Sequence, residues 1–308
     1  MYAAPSSGVQ AVTERGVEKL IIEVRVNEYA MRDGNPNVPW TAEEIGRDAA
    51  AIRAAGASIL HFHARQPDGS PAHGYEAYAD TIQAIRNSSD LLIHSTLGQI
   101  TVQGDEARVA HIRRLVQDPA LRPELASMDI GSTNIDVYDP VAKRFTTTSK
   151  SYVNSTETLL FFAKTFREIG VKPALACWTI PFLRYVEAFQ EMGLLDDPAY
   201  LLLVHTDRAI LGGHPPTAAG LRAFLDFLPK HRPVQWTVNA KPGNLFPIAA
   251  QAIQAGGHVA IGIGDNPYAE LGAPTNAELV RRIVDLAKAC GREIATPAEA
   301  RAMLNIPG

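Results

Sequence analysis

The stretch TAEEIGRDAAAIRAAGASILHFHA (residues 41–64) decides the fold, because it contains one complete helix and one complete strand in succession. Thr41 is suited to be the N-cap of the helix, and Glu44 follows three residues later, as in a capping box. Gly56 ends the helical pattern, and an almost wholly apolar run follows at residues 58–64. A short run of this kind is typical of a strand that is buried on both faces of a parallel sheet.

The same alternation of strand and helix is repeated along the whole chain of 308 residues. Eight short apolar runs predict strands at residues 20–26, 58–64, 91–96, 125–131, 173–178, 201–206, 234–240 and 258–263. Amphipathic stretches predict helices at residues 41–56, 75–86, 103–117, 156–169, 181–193, 216–229, 245–255 and 275–290. Eight strands that alternate with eight helices predict an α/β fold of the (β/α)₈ TIM-barrel type. A doubly wound open sheet is the rival, but it gives no reason for a count of eight.

No linker rich in Pro, Gly or Ser divides the chain, so we predict one TIM-barrel domain at residues 19–308 after an N-terminal extension at residues 1–18. The extension has no apolar core of the kind found in signal peptides, and no apolar run is long enough to span a bilayer. A net charge of -4 without a long basic run makes nucleic acid a poor candidate partner. Cys177 and Cys290 show no metal or disulfide spacing. These features predict a cytoplasmic enzyme with no membrane or nucleic-acid partner.

Polar residues end most of the predicted strands, and the pair His61 and His63 is the sharpest of these signals. Alternate strand residues point to the same face about 6.5 Å apart, so both imidazoles can reach one metal ion at the C-terminal mouth of a barrel. One His satisfying a buried backbone group while the other is solvated is the competing interpretation. The other polar residues at strand ends are Asn27, Glu28, Ser95, Thr96, Ser127, Asp129, Ser132, Thr206, Asp207, Asn239, Lys241, Asp265 and Asn266.

Two connections on the same side of the predicted barrel also attract interest. Residues 132–155 form a long connection after the fourth strand, and we expect an active-site loop or lid there. Gly212-Gly213-His214 follows the sixth strand, and a glycine turn ahead of a helix lets backbone N–H groups approach an anion. The alternatives are that residues 132–155 form an ordinary surface loop and that the two glycines only form a turn.

Together these residues resemble the β-keto acid cleavage enzymes, the family typified by 3-keto-5-aminohexanoate cleavage enzyme. The resemblance runs across nearly the whole chain and is most specific in four segments, at residues 35–71, 95–98, 256–268 and 291–304. It implies a homotetrameric (β/α)₈ barrel with one divalent metal ion, most often Zn²⁺. It also implies condensation of a β-keto acid with acetyl-CoA, which gives acetoacetate and a new acyl-CoA.

The resemblance assigns roles to individual positions. His61 and His63 match metal ligands, and Asp265 matches the catalytic base, with Glu28 as a second catalytic candidate that matches a carboxylate in contact with substrate. Substrate binding is implied for Ser95, Thr96, Ser127 and Asn266.

Three departures from the family pattern remove charged groups from the expected site. Ala260 stands where the family has the Arg that orients the base, Gly264 replaces a Glu that is the third metal ligand, and Ala176 replaces a Glu of the fifth strand. Catalytic zinc sites normally use three protein ligands, so Glu28, Asp265 or His94 must complete the site if the metal is retained. We favour a divergent but catalytic subgroup. A metal-dependent aldolase or hydrolase without CoA, and a non-catalytic barrel that binds a small acid, are the other hypotheses.

Overall fold

The protein folds as a closed parallel barrel, which confirms the predicted fold class. The computed structural model describes residues 18–98 and 101–307. Its strands are β1 (Ile22–Arg25), β2 (Ile59–His61), β3 (Leu92–Ser95), β4 (Leu125–Asp129), β5 (Thr133–Asn134), β6 (Tyr138–Asp139), β7 (Arg144–Phe145), β8 (Ser151–Tyr152), β9 (Lys172–Cys177), β10 (Ala199–His205), β11 (Val234–Ala240) and β12 (His258–Ile261). Eight of them close the barrel in the order β1-β12-β11-β10-β9-β4-β3-β2. Each of the eight predicted strands overlaps one of these barrel strands.

Helices connect the strands and cover the outside of the barrel. They are α1 (Ala42–Ala55), α2 (Tyr75–Ser88), α3 (Asp105–Leu115), α4 (Thr156–Ile169), α5 (Ile180–Glu191), α6 (Ala218–Asp226), α7 (Phe246–Gln254), α8 (Asn276–Ala289) and α9 (Pro297–Met303). The predicted capping box is present, since the Thr41 side chain accepts from the backbone N–H of Glu44 and the Glu44 side chain accepts from that of Thr41. Gly56 ends α1 at φ 117°, a left-handed conformation that favours glycine.

Helix α9 was not predicted, although the chain carries a second signal for it. Thr296 and Glu299 form a capping box, and Pro297 occupies the first turn. Ala300 and Leu304 pack with Ile21, which directly precedes β1, and with Ile59, the first residue of β2. The helix therefore closes the N-terminal end of the barrel and leaves the opposite end for the polar strand ends.

The long connection after β4 is folded rather than irregular. Strand β5 pairs with β8, and β6 pairs with β7, in two nested antiparallel ribbons. We call residues 133–152 the mouth ribbon. Its Tyr152 lines the cavity at the C-terminal end of the barrel, so the segment contributes to that cavity.

The predicted domain boundary falls on residues for which the structure gives little description. Residues 1–17 lie outside the described residues, so the N-terminal extension at residues 1–18 and the domain at 19–308 stay predictions. Within the described ranges, no helix has both the length and the apolar character needed to cross a membrane.

Candidate metal centre and active site

Glu28, His61 and His63 meet at the C-terminal mouth of the barrel and form the centre of the site. Glu28 Oε1 lies 3.0 Å from His61 Nε2, and Glu28 Oε2 lies 3.1 Å from His63 Nε2. One ligand atom from each residue falls within 4.8 Å of the others, and all three residues are buried. The structure thus brings the two predicted histidine ligands together with the first of the three carboxylate or imidazole candidates for the third position.

The hydrogen bonds of His61 give it the tautomer that binds a metal ion. His61 Nδ1 lies 3.0 Å from the carbonyl oxygen of His94, which can only accept, so Nδ1 carries the proton and Nε2 keeps its lone pair. His61 Nε2 is buried without a hydrogen-bond partner among the described residues, and it faces Glu28 Oε1, an acceptor that Arg25 Nη2 also contacts. Two buried acceptors that face each other are stabilised by a cation between them, and an Nδ1–H bonded to a backbone carbonyl is the usual support of a metal-ligating histidine. The residues therefore fit a divalent metal ion.

Two neighbouring side chains hold the ligands in place. Asn27 Nδ2 donates to the carbonyl of His63 at 2.9 Å, and the N–H of His63 donates to Asn27 Oδ1 at 2.9 Å. Glu28 itself has φ 43°, a left-handed conformation that costs a non-glycine residue free energy. Arg65 stabilises it by donating from Nη1 to the Glu28 carbonyl at 2.6 Å. Asn27 at the end of β1 is thus a structural clamp rather than a cavity group.

A buried guanidinium that sequence reasoning missed connects the carboxylates of the site. Arg25 Nη1 lies 3.0 Å from Glu23 Oε1, Nη2 contacts Glu28 Oε1, and Nε lies 3.0 Å from Asp265 Oδ2. Arg25 is 5% exposed. The signal was in the sequence, because Glu23 and Arg25 are charged residues at alternate positions of the otherwise apolar run at residues 20–26. The resemblance implies an Arg at the position of Ala260 on β12, and the neighbouring strand β1 supplies a guanidinium to Asp265.

Burial and neighbouring charges together shift the pKa values of Glu28 and Asp265 in opposite directions. Burial alone would raise the pKa of Glu28, but Arg25 and Lys241 outweigh it and hold that pKa well below its usual range. Burial raises the pKa of Asp265 to about 6, in spite of the opposing effect of Arg25. Burial lowers the pKa of His61 and of His63, so both imidazoles are neutral, which is the form that binds metals.

The predicted substrate-binding residues are divided between the cavity and its supporting shell. Thr96 and Ser127 line the cavity, which has a volume of about 40 Å³. Ser95 points away from it, with Oγ 3.4 Å from His111 Nε2 on α3. Asn266 is also absent from the lining, and for both residues substrate binding stays a prediction.

Asp265 and His94, the other two candidates for the third ligand, are engaged elsewhere. Asp265 lies behind Arg25 and Asn239, whose Nδ2 donates to Asp265 Oδ2 at 3.1 Å. His94 Nδ1 lies 3.1 Å from Glu23 Oε1, and its Nε2 lies 2.9 Å from Ser127 Oγ. Both nitrogen atoms of His94 are therefore occupied, and neither residue belongs to the cluster of potential ligands.

Asp129 is a carboxylate on the cavity wall to which sequence reasoning gave no role. Its Oδ1 accepts from Trp178 Nε1 at 2.7 Å, and burial raises its pKa. In the barrel register Asp129 is paired with Ala176, a position where the resemblance implies a Glu. An acidic group therefore stands on this wall, one strand away from the expected position.

Comparison with known proteins places the chain among related enzymes. The family model described as "beta-keto acid cleavage enzyme" matches residues 19–306. A 3-keto-5-aminohexanoate cleavage enzyme from Acetoanaerobium sticklandii is 34% identical over 294 residues, which cover 94% of this chain and 99% of that protein. A protein of the same name from Fusobacterium nucleatum is 35% identical over 295 residues, with the same coverage. A 3,5-dioxohexanoate:acetyl-CoA acetone transferase from Paraburkholderia graminis is 29% identical over 292 residues, covering 89% and 91%.

Solved structures agree at the level of the fold. A binary complex of ObcA with oxaloacetate superimposes with a TM-score of 0.66 at 15% identity, covering 89% of this chain and 68% of that one. The match to the family model over almost the whole barrel, together with relatives above 30% identity, establishes the relationship. The chain belongs to the beta-keto acid cleavage enzyme family.

Proposed function

We propose that this protein condenses a β-keto acid with acetyl-CoA and releases acetoacetate and a new acyl-CoA, with one divalent metal ion, Zn²⁺ in the first instance. The observation that carries the proposal is the buried Glu28–His61–His63 cluster, in which the unprotonated His61 Nε2 faces Glu28 Oε1 at the mouth of a barrel. The printed names of the relatives support it, because two describe cleavage of a keto acid and one describes transfer with acetyl-CoA.

In this proposal Glu28, His61 and His63 would hold the metal ion, which would supply the Lewis acidity needed to polarise a keto group. A ligand set of two neutral imidazoles and one carboxylate is common at catalytic zinc sites. Lys241 contacts Glu28 Oε2 and lines the same cavity, so it is available to neutralise an anionic substrate beside the cluster. The hydroxyl groups of Thr96 and Ser127 bind the substrate carboxylate.

A carboxylate must remove the acidic α-proton of the keto acid before the new C–C bond forms. We propose Asp265, because a pKa of about 6 suits a general base near neutral pH and because Arg25 and Asn239 fix its orientation. Asp129 is the second candidate, since it lines the cavity and Asp265 does not. With the role of metal ligand given to Glu28, that residue is no longer free to act as the base.

The remaining steps follow from the chemistry of the two substrates. The carbanion formed at the α-carbon attacks the thioester carbonyl of acetyl-CoA, and the CoA thiolate leaves. The thiolate then attacks the distal keto carbon and the C–C bond breaks, so that the distal acyl group remains on CoA. The departing carbanion takes back the proton from the catalytic carboxyl group and leaves as acetoacetate. The atoms balance without an external oxidant or reductant.

The test is an acetoacetate assay with zinc-loaded protein, acetyl-CoA and a panel of β-keto acids. We expect acetoacetate with at least one keto acid, and loss of at least about 100-fold in kcat for His61→Ala, because one of three metal ligands is removed. Comparing Asp265→Asn with Asp129→Asn identifies the base, which should give the larger loss of kcat. If no keto acid yields acetoacetate, the proposal is wrong.

The two other functional hypotheses give different outcomes in the same experiment. An aldolase or hydrolase without CoA would consume the keto acid equally well when acetyl-CoA is omitted. A non-catalytic barrel would show no turnover, and a metal content below about 0.1 per chain after purification without chelator would favour it.

We also propose that the enzyme is a cytoplasmic homotetramer, on the basis of the family resemblance. Exposed apolar side chains, such as that of Met192, which is 59% exposed, would be buried by contacts between subunits. Light scattering of the purified protein measures the mass of the assembly, and a monomer or dimer would contradict the tetramer.

A further inference from the structure

We propose that the mouth ribbon is the binding platform for the nucleotide half of CoA, with Phe145 as the stacking surface for adenine and Arg144 and Arg208 as contacts for the phosphates. The inference rests on the proposed use of acetyl-CoA. It assigns a second site, outside the metal centre, to a cavity of about 530 Å³.

The cavity adjoins the active site through directly connected residues. Thr133 on its wall pairs in β5 with Tyr152 of β8, and Thr179 on the opposite wall directly follows Trp178. Tyr152 and Trp178 both line the active-site cavity, with their rings 5.4 Å apart. A ligand that fills the outer cavity therefore needs to pass only this aromatic pair to reach the metal centre.

The lining of the outer cavity matches the pantetheine arm, which alternates amide groups with short apolar segments. Hydroxyl groups come from Thr148 and Thr179, and Asn134 adds a side-chain amide. The Asp136 carboxylate also lines the cavity, where it accepts a hydrogen bond from Thr147 Oγ1. Leu211, which is 60% exposed, supplies an apolar wall. The mixture of hydrogen-bonding and apolar groups suits an uncharged chain better than an ionic ligand.

Phe145 is placed to receive a planar base at the outer end of this cavity. It is 48% exposed, and the ring of Tyr138 supports it edge-on at 5.3 Å between centroids. From Asn134 to Tyr138 the chain runs four residues, a span of at most about 14 Å, which the long arm of CoA can bridge. An exposed aromatic ring that is held rigidly by a second ring is a suitable stacking surface.

Basic side chains around Phe145 are free to meet phosphates, whereas the acidic side chains of the ribbon are occupied. Asp136 Oδ1 accepts from Thr147 Oγ1 and from the N–H of Lys150, and Asp139 Oδ1 accepts from two backbone N–H groups. In the part of the chain that the structure describes, no hydrogen bond or ion pair engages the side chains of Lys143, Arg144, Lys150 and Arg208, all of which are exposed. Arg208 belongs to this group because the neighbouring Ala209 carbonyl accepts from the N–H of Tyr138 at 2.7 Å.

Gly212 and Gly213 explain how the second side of the platform approaches the ribbon. A Cβ atom on Gly212 would lie 2.1 Å from the Asn134 carbonyl oxygen, and one on Gly213 would lie 2.9 Å from the Thr206 side chain. Gly212 therefore allows the loop after β10 to pack directly on β5, and it lines the outer cavity, whereas Gly213 lets the same loop pack against the end of β10.

The experiment measures the binding of acetyl-CoA to the metal-loaded full-length protein by calorimetry, without a keto acid, so that no turnover occurs. Phe145→Ala should weaken binding about tenfold, and Arg144→Glu combined with Arg208→Glu should weaken it about tenfold or more. Phe227→Ala and Lys230→Glu are the matched controls, because both residues are exposed and follow α6 at the opposite end of the barrel. Neither control should change the affinity more than twofold.

A truncated thioester separates nucleotide recognition from every other effect. S-acetylpantetheine lacks adenine and the nucleotide phosphates, so its affinity should be the same in the wild type, in Phe145→Ala and in the double arginine variant. Equal acetyl-CoA affinity in the wild type and all variants would overturn the inference. It would also be overturned if the ribbon variants changed the oligomeric state and left the acetyl-CoA affinity unchanged. Because binding is measured without turnover, a protein that binds acetyl-CoA at the ribbon but makes no acetoacetate would overturn the proposed function alone.

Discussion

Replacing Glu28 by Gln is the most direct test of the metal centre, because it removes one ligand with almost no change in shape. Glu28 is the only carboxylate in the three-residue cluster that the described part of the chain forms. Supporting residues outside a metal's ligand shell commonly contribute 10- to 100-fold in affinity, so loss of a ligand should weaken zinc binding by at least about 100-fold. The shape-conserving amide keeps the packing against Arg25 and Lys241 but no longer neutralises their charges.

The expected size of the effect follows from ligand linkage. With free zinc at 100 times the dissociation constant, the wild type gains about 2.7 kcal/mol of stability, whereas a variant with 100-fold weaker affinity gains about 0.4 kcal/mol. For a chain of 308 residues, an unfolding entropy of about 0.6 kcal/mol/K converts these gains into a zinc-dependent rise in Tm of about 4 °C and of less than about 1 °C.

The assay is thermal unfolding of metal-stripped protein with and without zinc, accompanied by elemental analysis of the reloaded samples. Glu76→Gln is the control, because the Glu76 side chain is 77% exposed and its contact with Arg114 is 3.7 Å. Comparing each variant with itself, with and without zinc, removes the separate effect of leaving Arg25 and Lys241 unpaired. If Glu28→Gln keeps the full wild-type shift, Glu28 is not a ligand and the assignment of the centre fails.

Three further predictions address the remaining features of the fold and the site. Arg25→Lys should destabilise the protein by about 3 kcal/mol or more, because one ammonium group cannot satisfy Glu23, Glu28 and Asp265 together. Urea unfolding measures this loss, and an unchanged midpoint would show that the guanidinium is dispensable. Burial raises the pKa of Asp48 to about 6 from an ordinary value of 3.8, so ionising it costs the folded state and wild-type stability should fall as the pH rises from about 4 to about 6. Asp48→Asn keeps an acceptor for Asn276, and it should be more stable than the wild type by on the order of 2 kcal/mol at pH 8, a figure that allows for the partial exposure of Asp48. Near pH 3.5 the two proteins should have the same stability. A constant difference at both pH values would contradict burial of the charge as the cause. Gly257→Ala should lower the free energy of unfolding by about 2 kcal/mol, since its Cβ would lie 2.1 Å from the Trp236 ring. Zinc affinity should be unchanged, because the candidate metal centre lies at the other end of β12. Retention of the wild-type Tm would show that the Trp236 ring moves aside freely.

The sequence by itself determined the fold and two of the three residues of the candidate metal centre. Alternation of apolar strands with amphipathic helices is a local property, and a count of eight leaves a closed barrel as the arrangement that buries all of them. His61 and His63 could be assigned as a pair because strand geometry alone puts residues i and i+2 on one face. Thr41, Glu44 and Gly56 likewise gave the bounds of α1, because helix capping depends on residues that are close in the chain.

Only the tertiary structure decided which charges meet. Arg25 reaches Asp265 across 240 residues, and Glu28 meets Lys241 across 213, because closure of the barrel sets β1 beside β12 and brings the end of β11 to the same mouth. The resemblance implies charged groups at the positions of Ala260, Gly264 and Ala176, but it could not show that β1 and β4 supply charged groups at neighbouring places. A barrel has a closed ring of strands, so the same point in space can be reached from adjacent strands that are far apart in the chain. Which charged groups share a place at the mouth therefore becomes visible only when the ring of strands is closed.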